Sequence, residues 1–460
     1  MKKTIYDKMT AKYQRDLMKS LTEFVAINSA YDENTADETY PFGKGVSAAL
    51  DYITLLARND GFEVTNYDNK VVEILVGEGK QNLTIMAHAD VVPAGDGWDQ
   101  DPFTLVEKKG VLYARGVSDD KGPLLAAYYA LKALRDNNKL GDYQVRFLVG
   151  GNEESGSLCM EHYFHVLKKK QPTLGFSPDS DFPLIYAEKG IINFAVSTLV
   201  KIPGLISLKG GTARNAVIDK CVLKTEINSN FLQYILNNFH RDEAIIKTED
   251  DVTTVTFIGK AAHGAHPEAG VNAGMMALKA LAGFTKDPTL VRLVKLYEPL
   301  DGKGYGCDAK SKEMGHNSST MGLLSIEDNK LELTINFRYV NGCDQKQLIA
   351  NFKEANKGFN VKVESTDPIL FNEKDSVLIQ TLLHSYQEET GDMKSEPLAI
   401  GGGTYAKTAN NVVAFGMQFP GWDSLMHSPG ERTKKDDLIK SMSIYARAIY
   451  ELGEALKLLK

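Results

Sequence analysis

Leu83–Asp90 reads LTIMAHAD: an apolar run, Leu83–Ala87, ends directly on a histidine and, two residues later, on an aspartate. The same pattern returns in Val145–Glu154, VRFLVGGNEE, where an apolar run gives way to two glycines, Asn152 and the adjacent glutamates Glu153 and Glu154. Short apolar runs of this length read as buried strands. In open α/β sheets, ligands bind beyond the carboxyl ends of such strands, so the polar groups that follow them are site candidates. Val71–Val76 is a third run of this kind, and Pro123–Arg135, lying between the two quoted stretches, has helical periodicity. Strands alternating with helices predict an α/β domain with a mostly parallel sheet flanked by helices.

Working outward, Tyr13, Leu17, Leu21, Phe24 and Val25 fall on one face of a helix, and a second helix is expected over Val46–Arg58. After Ala187 the texture changes. Alternating strands such as Asp251–Gly259 and Leu331–Arg338 are interleaved with helices, for instance Ala273–Phe284, as in an α+β unit. From Asp375 an amphipathic helix begins, followed by a strand at Val412–Phe415. The last helix carries Leu438, Met442, Tyr445, Ile449 and Leu452 on one face, with Thr433 and Asp436 spaced as a capping box. At 460 residues the chain exceeds one core. We therefore expect a discontinuous α/β domain of residues 1–187 and 372–460, with an α+β domain of residues 188–371 inserted into it.

Composition narrows the function classes. A net charge of -7 and no Lys/Arg-dense stretch argue against a nucleic-acid partner. No uncharged apolar stretch approaches the roughly 20 residues of a membrane span. The basic start, MKKTIYDKMTAKYQRDL, lacks the apolar run of a signal peptide. Cys159, Cys221, Cys307 and Cys343 are scattered, which suits a reducing cytosol and offers no thiolate metal site.

Five segments carry groups suited to a hydrolytic metal centre, which needs nitrogen and oxygen ligands and a nearby base. His88 and Asp90, at i and i+2, share one strand face, so Asp90 could hydrogen-bond the imidazole. Asp119 and Asp120 precede Lys121 in ARGVSDDKGP; a carboxylate there could bridge two metals, or simply cap the following helix. Glu153 and Glu154 would repel each other unless something positive lies beside them, and otherwise form a charged loop. Asp179 sits in GFSPDSDFP and His427 in MHSPGE. Each segment alone is weak; together, two histidines and three acids would complete a bridged pair of four-coordinate metals, with a glutamate left over as base.

These segments, with HGAHPEAGVNA (263–273) and GGGTYA (401–406), resemble the ArgE/DapE/carnosinase-type di-zinc metallopeptidases, most of all their PepV-type dipeptidase branch. The similarity runs nearly end to end. It implies a catalytic domain formed by the discontinuous part, with the insert as a lid. It further implies one metal held by His88, Asp119 and Asp179, and another by Glu154, His427 and the shared Asp119. Glu153 would be the general base toward a water held between the metals, and Asp90 would orient His88. His263 would stabilise the oxyanion, with His266 its local competitor, and Asn215 and Arg338 would hold substrate. The backbone of Gly401–Thr404, including Gly402 and Thr404, would bind a terminal carboxylate as a nest of N–H groups. For Arg338 the alternative is a salt bridge across the lid sheet.

The implied activity is hydrolysis of dipeptides, or tripeptides, bearing a free terminal carboxylate. Two divalent ions are implied, zinc first, with manganese or cobalt also able to occupy such donors. The chain is expected to be cytoplasmic and monomeric, and to act on small peptides. Four positions depart from the family pattern: Asn152 stands for Asp, Lys407 for Arg, Gly430 for Asn and Val340 for Pro. Rival readings are an amidohydrolase of N-acyl amino acids, a di-metal phosphatase relying on Lys121 and Lys407, and a non-catalytic metal- or peptide-binding protein.

Overall fold

The computed structural model describes residues 3–226 and 229–459. The chain forms two compact units. The first comprises Met1–Tyr186, Asn372–Leu398 and Thr404–Lys460; the second comprises Ala187–Phe371 and Ala399–Gly403. The short return of Ala399–Gly403 to the second unit follows its hydrogen bonding, since the N–H of Lys189 donates to the carbonyl of Ile400 at 3.1 Å.

The first unit opens its sheet with β1 (Glu63–Tyr67), β2 (Val71–Val76), β3 (Asn82–His88), β4 (Gln144–Gly150) and β5 (Leu174–Ser177). The second unit carries β6 (Gly190–Leu199), β7 (Leu205–Gly210), β8 (Lys220–Glu226), β9 (Ala244–Glu249), β10 (Val252–Ile258), β11 (Ser318–Glu327), β12 (Lys330–Tyr339) and β13 (Asn360–Asp367). The chain then returns to the first sheet with β14 (Val412–Ala414).

In the first unit these strands run in the order β1-β2-β4-β3-β5-β14. β3 pairs in parallel with β4 and β5, and β14 in parallel with β5; β1 and β2 add an antiparallel edge. β3 is buried along its whole length, as expected of a parallel strand covered on both faces. The helices Lys121–Asp136 and Lys435–Leu456 pack on each other and both touch β3. The predicted stripe on the latter, Leu438, Met442, Tyr445, Ile449 and Leu452, is wholly buried.

The expected capping box at Thr433 and Asp436 does not form. Lys434 is the cap residue and makes no side-chain cap bond. Thr433 lies instead in a strand, Arg432–Lys434, paired antiparallel with Val111–Tyr113, one residue before the cap position. A capping box does form at the first helix, Ile5–Thr10, between Thr4 and Asp7.

The second unit is built on an antiparallel sheet in the order β9-β10-β8-β7-β11-β12-β6-β13. Burial alternates along β6 and β10, the pattern of strands with one face on a core. That core includes Phe194, stacked on Phe352 at 3.7 Å between ring centroids. It continues through Leu278 and Leu281 of the helix Ala273–Thr285 and through Leu290 and Leu293. Among the described residues the four cysteines are free, and no helix is long and apolar enough to cross a membrane.

Gly150 closes β4 against the first unit's core. A Cβ there would lie 2.2 Å from the Tyr405 hydroxyl and 2.9 Å from Cys159 Sγ. Gly150→Ala is expected to destabilise the protein by about 1–3 kcal/mol through overpacking, read as a lowered midpoint in urea unfolding.

Candidate active site

Three parallel strands, β3, β4 and β5, end beside one another, and the first unit's polar cluster begins at those ends. His88 is the last residue of β3 and is wholly buried. Its Nε2 lies 3.0 Å from Asp119 Oδ1 and 3.8 Å from Asp179 Oδ2. Glu153 and Glu154 follow β4, and Asp179 follows β5. His427 comes from the loop before the strand Arg432–Lys434, and its Nε2 lies 2.8 Å from Asp119 Oδ2 and 3.2 Å from Glu154 Oε1. Asp119 thus offers one oxygen to each imidazole. The potential ligand atoms of His88, Asp119 and Asp179 all lie within 4.8 Å of one another, as do those of Asp119, Glu154 and His427.

Asp90 does more than face His88. Its Oδ1 is 3.4 Å from His88 Nδ1, and its carbonyl oxygen is 3.0 Å from the same nitrogen. Its two carboxylate oxygens also accept the backbone N–H groups of Glu153 at 3.0 Å and Glu154 at 3.1 Å. One side chain therefore ties the end of β3 to the glutamate turn. Asn152 closes that turn from its other side by accepting the Leu158 N–H at 2.9 Å. Asp120 is fully buried rather than a solvated cap, and its Oδ2 accepts the His88 N–H at 3.1 Å.

The electrostatics follow from packing many carboxylates out of water. Burial, then the charge of Asp119, pushes the Asp179 carboxyl up to about 7. Burial raises Glu153 well above the usual range, with Asp179, Glu154 and Asp119 adding to it and His88 opposing; Glu154 is raised by burial and by Asp119. His427 is driven up to about 11 by its bonds to Asp119 and Glu154. Burial would lower His88, but Asp119, Asp90 and Asp179 reverse that and hold it well above its ordinary value. For Asp119, burial is outweighed by the two imidazoles, and its carboxyl is held far below the usual range. Such a field calls for positive charge. Imidazole and carboxylate donors, converging with an opening at half-exposed His427, fit divalent cations of the zinc, manganese or cobalt type.

The second unit brings together another predicted set. Arg338, buried on β12, donates from Nε to Asn336 Oδ1 at 2.9 Å and from Nη1 to the Gly401 carbonyl, and its Nη2 lies 3.4 Å from His263 Nε2. Burial lowers the guanidinium to about 10. No salt bridge crosses the sheet from Arg338 among the described residues. Asn215 is placed beside His263: its carbonyl accepts the Gly264 N–H at 2.7 Å, and Ala216 bridges His263. His266 is exposed, 3.4 Å from Glu268. Gly402 lies in the second unit, whereas Thr404 lies in the first, where its hydroxyl accepts the Ala406 N–H at 3.2 Å as a helix cap.

Two departures from the family pattern have local explanations. Gly430 has φ +84°, a region that glycine and asparagine both tolerate, so exchanging one for the other leaves the backbone free to turn. Val340 donates its N–H to Asn317 Oδ1 at 2.9 Å, a bond that proline could not make. The phosphatase reading loses a cation: Lys121 is buried, and its ammonium donates to the carbonyls of Phe24 at 3.1 Å and Ile27 at 2.7 Å. Residues that the sequence did not single out include Asn336, Tyr405 and the buried pair Arg115–Glu431. Asn336 stands at i-2 from Arg338 on one strand face, a spacing that could have marked it.

A model of Peptidase family M20/M25/M40 matches residues 84–451 of this chain. A protein of Staphylococcus aureus (strain MW2), provisionally named a dipeptidase, is 35% identical over 463 residues, spanning 96% of this chain and 97% of its own. Among solved structures, an M20 family metallo-carboxypeptidase from Sulfolobus solfataricus aligns with a TM-score of 0.59 at 17% identity, over 95% of this chain and 99% of that one. Human carnosine dipeptidase 1 aligns with a TM-score of 0.57 at 16% identity, over 98% and 99%. At these identities the structures speak for the fold.

Asp90→Asn keeps the size of the side chain but leaves one good acceptor for two N–H groups. It is expected to weaken zinc binding ~10–100-fold without unfolding the protein, as read by calorimetry on metal-free protein alongside circular dichroism.

Proposed function

The chain belongs to Peptidase family M20/M25/M40 and is a peptide hydrolase, and from that premise we propose that it cuts dipeptides, or tripeptides, with a free terminal carboxylate at a two-cation centre. The observation that carries this reading is Asp119, one oxygen 3.0 Å from His88 and the other 2.8 Å from His427, with Asp179 and Glu154 completing two ligand groups. In this assignment His88, Asp119 and Asp179 hold one cation, and Asp119, Glu154 and His427 hold the other. Zinc suits these donors best, and manganese or cobalt would also be accepted. When bound, the cations supply Lewis acidity toward water and toward the scissile carbonyl.

The chain's own groups do the rest. Glu153 removes a proton from the attacking water and returns it to the leaving amine, one carboxylate serving first as base and then as acid. Asp90 fixes the Glu153 backbone and faces His88. His263 donates to the oxyanion as it develops. Arg338 offers a planar fork to the substrate's terminal carboxylate, aided by Asn215 and the backbone from Gly401 through Gly402 to Thr404. The names of the relatives favour dipeptides as substrates. Four free cysteines among the described residues suit a reducing cytoplasm, and the protein acts as a monomer.

The test is hydrolysis of Leu-Leu, Ala-His, β-Ala-His and N-acetyl-Leu by metal-loaded protein. Cleavage of the free dipeptides, with kcat falling about 10²–10⁴-fold in Glu153→Gln at unchanged zinc content, is the expected result. Activity confined to N-acetyl-Leu would move the chain to the amidohydrolases. Metal binding with no hydrolysis of any of the four would overturn the enzymatic assignment.

A further inference from the structure

The ligand loops that carry Asp119 and His427 are extensions of one antiparallel pair, Val111–Tyr113 with Arg432–Lys434. Directly before the second of these strands stands Glu431, wholly buried. Its Oε2 accepts Arg115 Nη1 at 2.6 Å and the Gly116 N–H at 3.1 Å. Its Oε1 accepts the Ser118 N–H at 2.9 Å and the Asp119 N–H at 3.2 Å. All four partners are donors on the stretch that ends at Asp119, and the glutamate itself lies four residues after His427.

The surroundings hold this carboxylate in place. Arg115 is also buried; its Nη2 donates to the Ala94 carbonyl at 3.3 Å, and its guanidinium lies 5.3 Å from the Trp98 ring centroid. Trp98 Nε1 donates to the same carbonyl at 2.8 Å. The loop that Glu431 closes is one that needs fixing. Leu425 and His427 both have positive φ, 50° and 60°, a region that non-glycine residues keep only when their surroundings impose it.

We propose that Glu431 is a positioning residue that locks the Asp119 backbone to the His427 loop, setting the spacing between the ligands of the two cation positions. This rests on Asp119 and His427 being cation ligands, as proposed above. Both oxygens of Glu431 are taken up by these four donors, so its role is one of position. It acts by fixing where Asp119 starts and where the His427 loop ends. An ordinary structural ion pair would stabilise the fold yet leave cation affinity alone.

Glu431→Gln separates the two roles, because the amide matches the carboxylate in shape but turns an N–H₂ group toward donors. Metal-free protein would be titrated with zinc by calorimetry, and the visible spectrum recorded after loading with cobalt. The expected result is native circular dichroism with zinc affinity weakened ~10–100-fold and altered cobalt bands. Wild-type affinity together with wild-type bands would overturn the proposal. Should the glutamine variant not fold, Arg115→Lys keeps the charge but not the fork. About tenfold weaker zinc binding in that folded variant supports the proposal, and unchanged affinity overturns it. Asp119→Asn runs alongside: if it binds zinc as the wild type does, the ligand assignment itself fails, and if it alone loses zinc while the Glu431 and Arg115 variants keep it, only the positioning role fails.

Discussion

Asp90, Asp119, Asp120, Glu153, Glu154 and Asp179 crowd around two imidazoles in the first unit, and the site depends on how that concentration of like charge is managed. The carboxylates separate into two classes. Asp90 accepts two backbone N–H groups, so both of its oxygens are anchored by dipoles of the fold; Asp120 accepts one on Oδ2, while its Oδ1 is buried without a partner and burial raises its carboxyl well above the usual range. Glu153, Glu154 and Asp179 lack enough such donors, and burial together with mutual repulsion lifts their affinity for positive charge. Asp119 lies between the classes: the two imidazoles answer its two oxygens, while its own N–H is held by Glu431. The first class fixes the backbone of the site, and the second keeps negative charge out of water.

Parallel pairing is what allows this crowding. β3, β4 and β5 run the same way, so His88, the Glu153–Glu154 turn and Asp179 leave the sheet at neighbouring carboxyl ends. Antiparallel neighbours would have sent alternate loops to opposite edges. Asp119 and His427 cannot come from that sheet edge. The small antiparallel pair Val111–Tyr113 and Arg432–Lys434 delivers them from segments more than 300 residues apart, as the separation of 308 between His427 and Asp119 shows. The geometry of the centre therefore rests on two kinds of pairing at once.

The elements that were legible in the sequence are those with a local signal. β3 and β4 are continuous apolar runs, and the last helix shows a clean stripe, so their types follow from periodicity. The five metal-ligand candidates were marked by polar residues at strand ends and by resemblance of the surrounding motifs. Thr433 and Asp436 show the limit of such reading: their spacing is that of a capping box, yet a tertiary strand pairing takes Thr433. Glu431 is the opposite case. It stood in a quoted motif, MHSPGE, but its value lies in four donors 312 to 316 residues away, which no window along the chain can display. Asp90 was legible only in part, because its i, i+2 relation to His88 is local and its grip on the glutamate turn is not.

The second unit presents the complementary electrostatic problem. Arg338 is buried, and the partners that hold it are an amide oxygen, a carbonyl and an imidazole rather than a carboxylate. A desolvated guanidinium held only by such partners sits lower in pKa, here at about 10, and gains from any anion that reaches it. A cross-sheet ion pair would have quenched that affinity. Asn336 and Gly401 instead orient the planar fork without neutralising it, and β12 fixes it on a rigid element. Among the described residues the guanidinium thus keeps its charge uncompensated by a carboxylate while neutral groups fix its orientation.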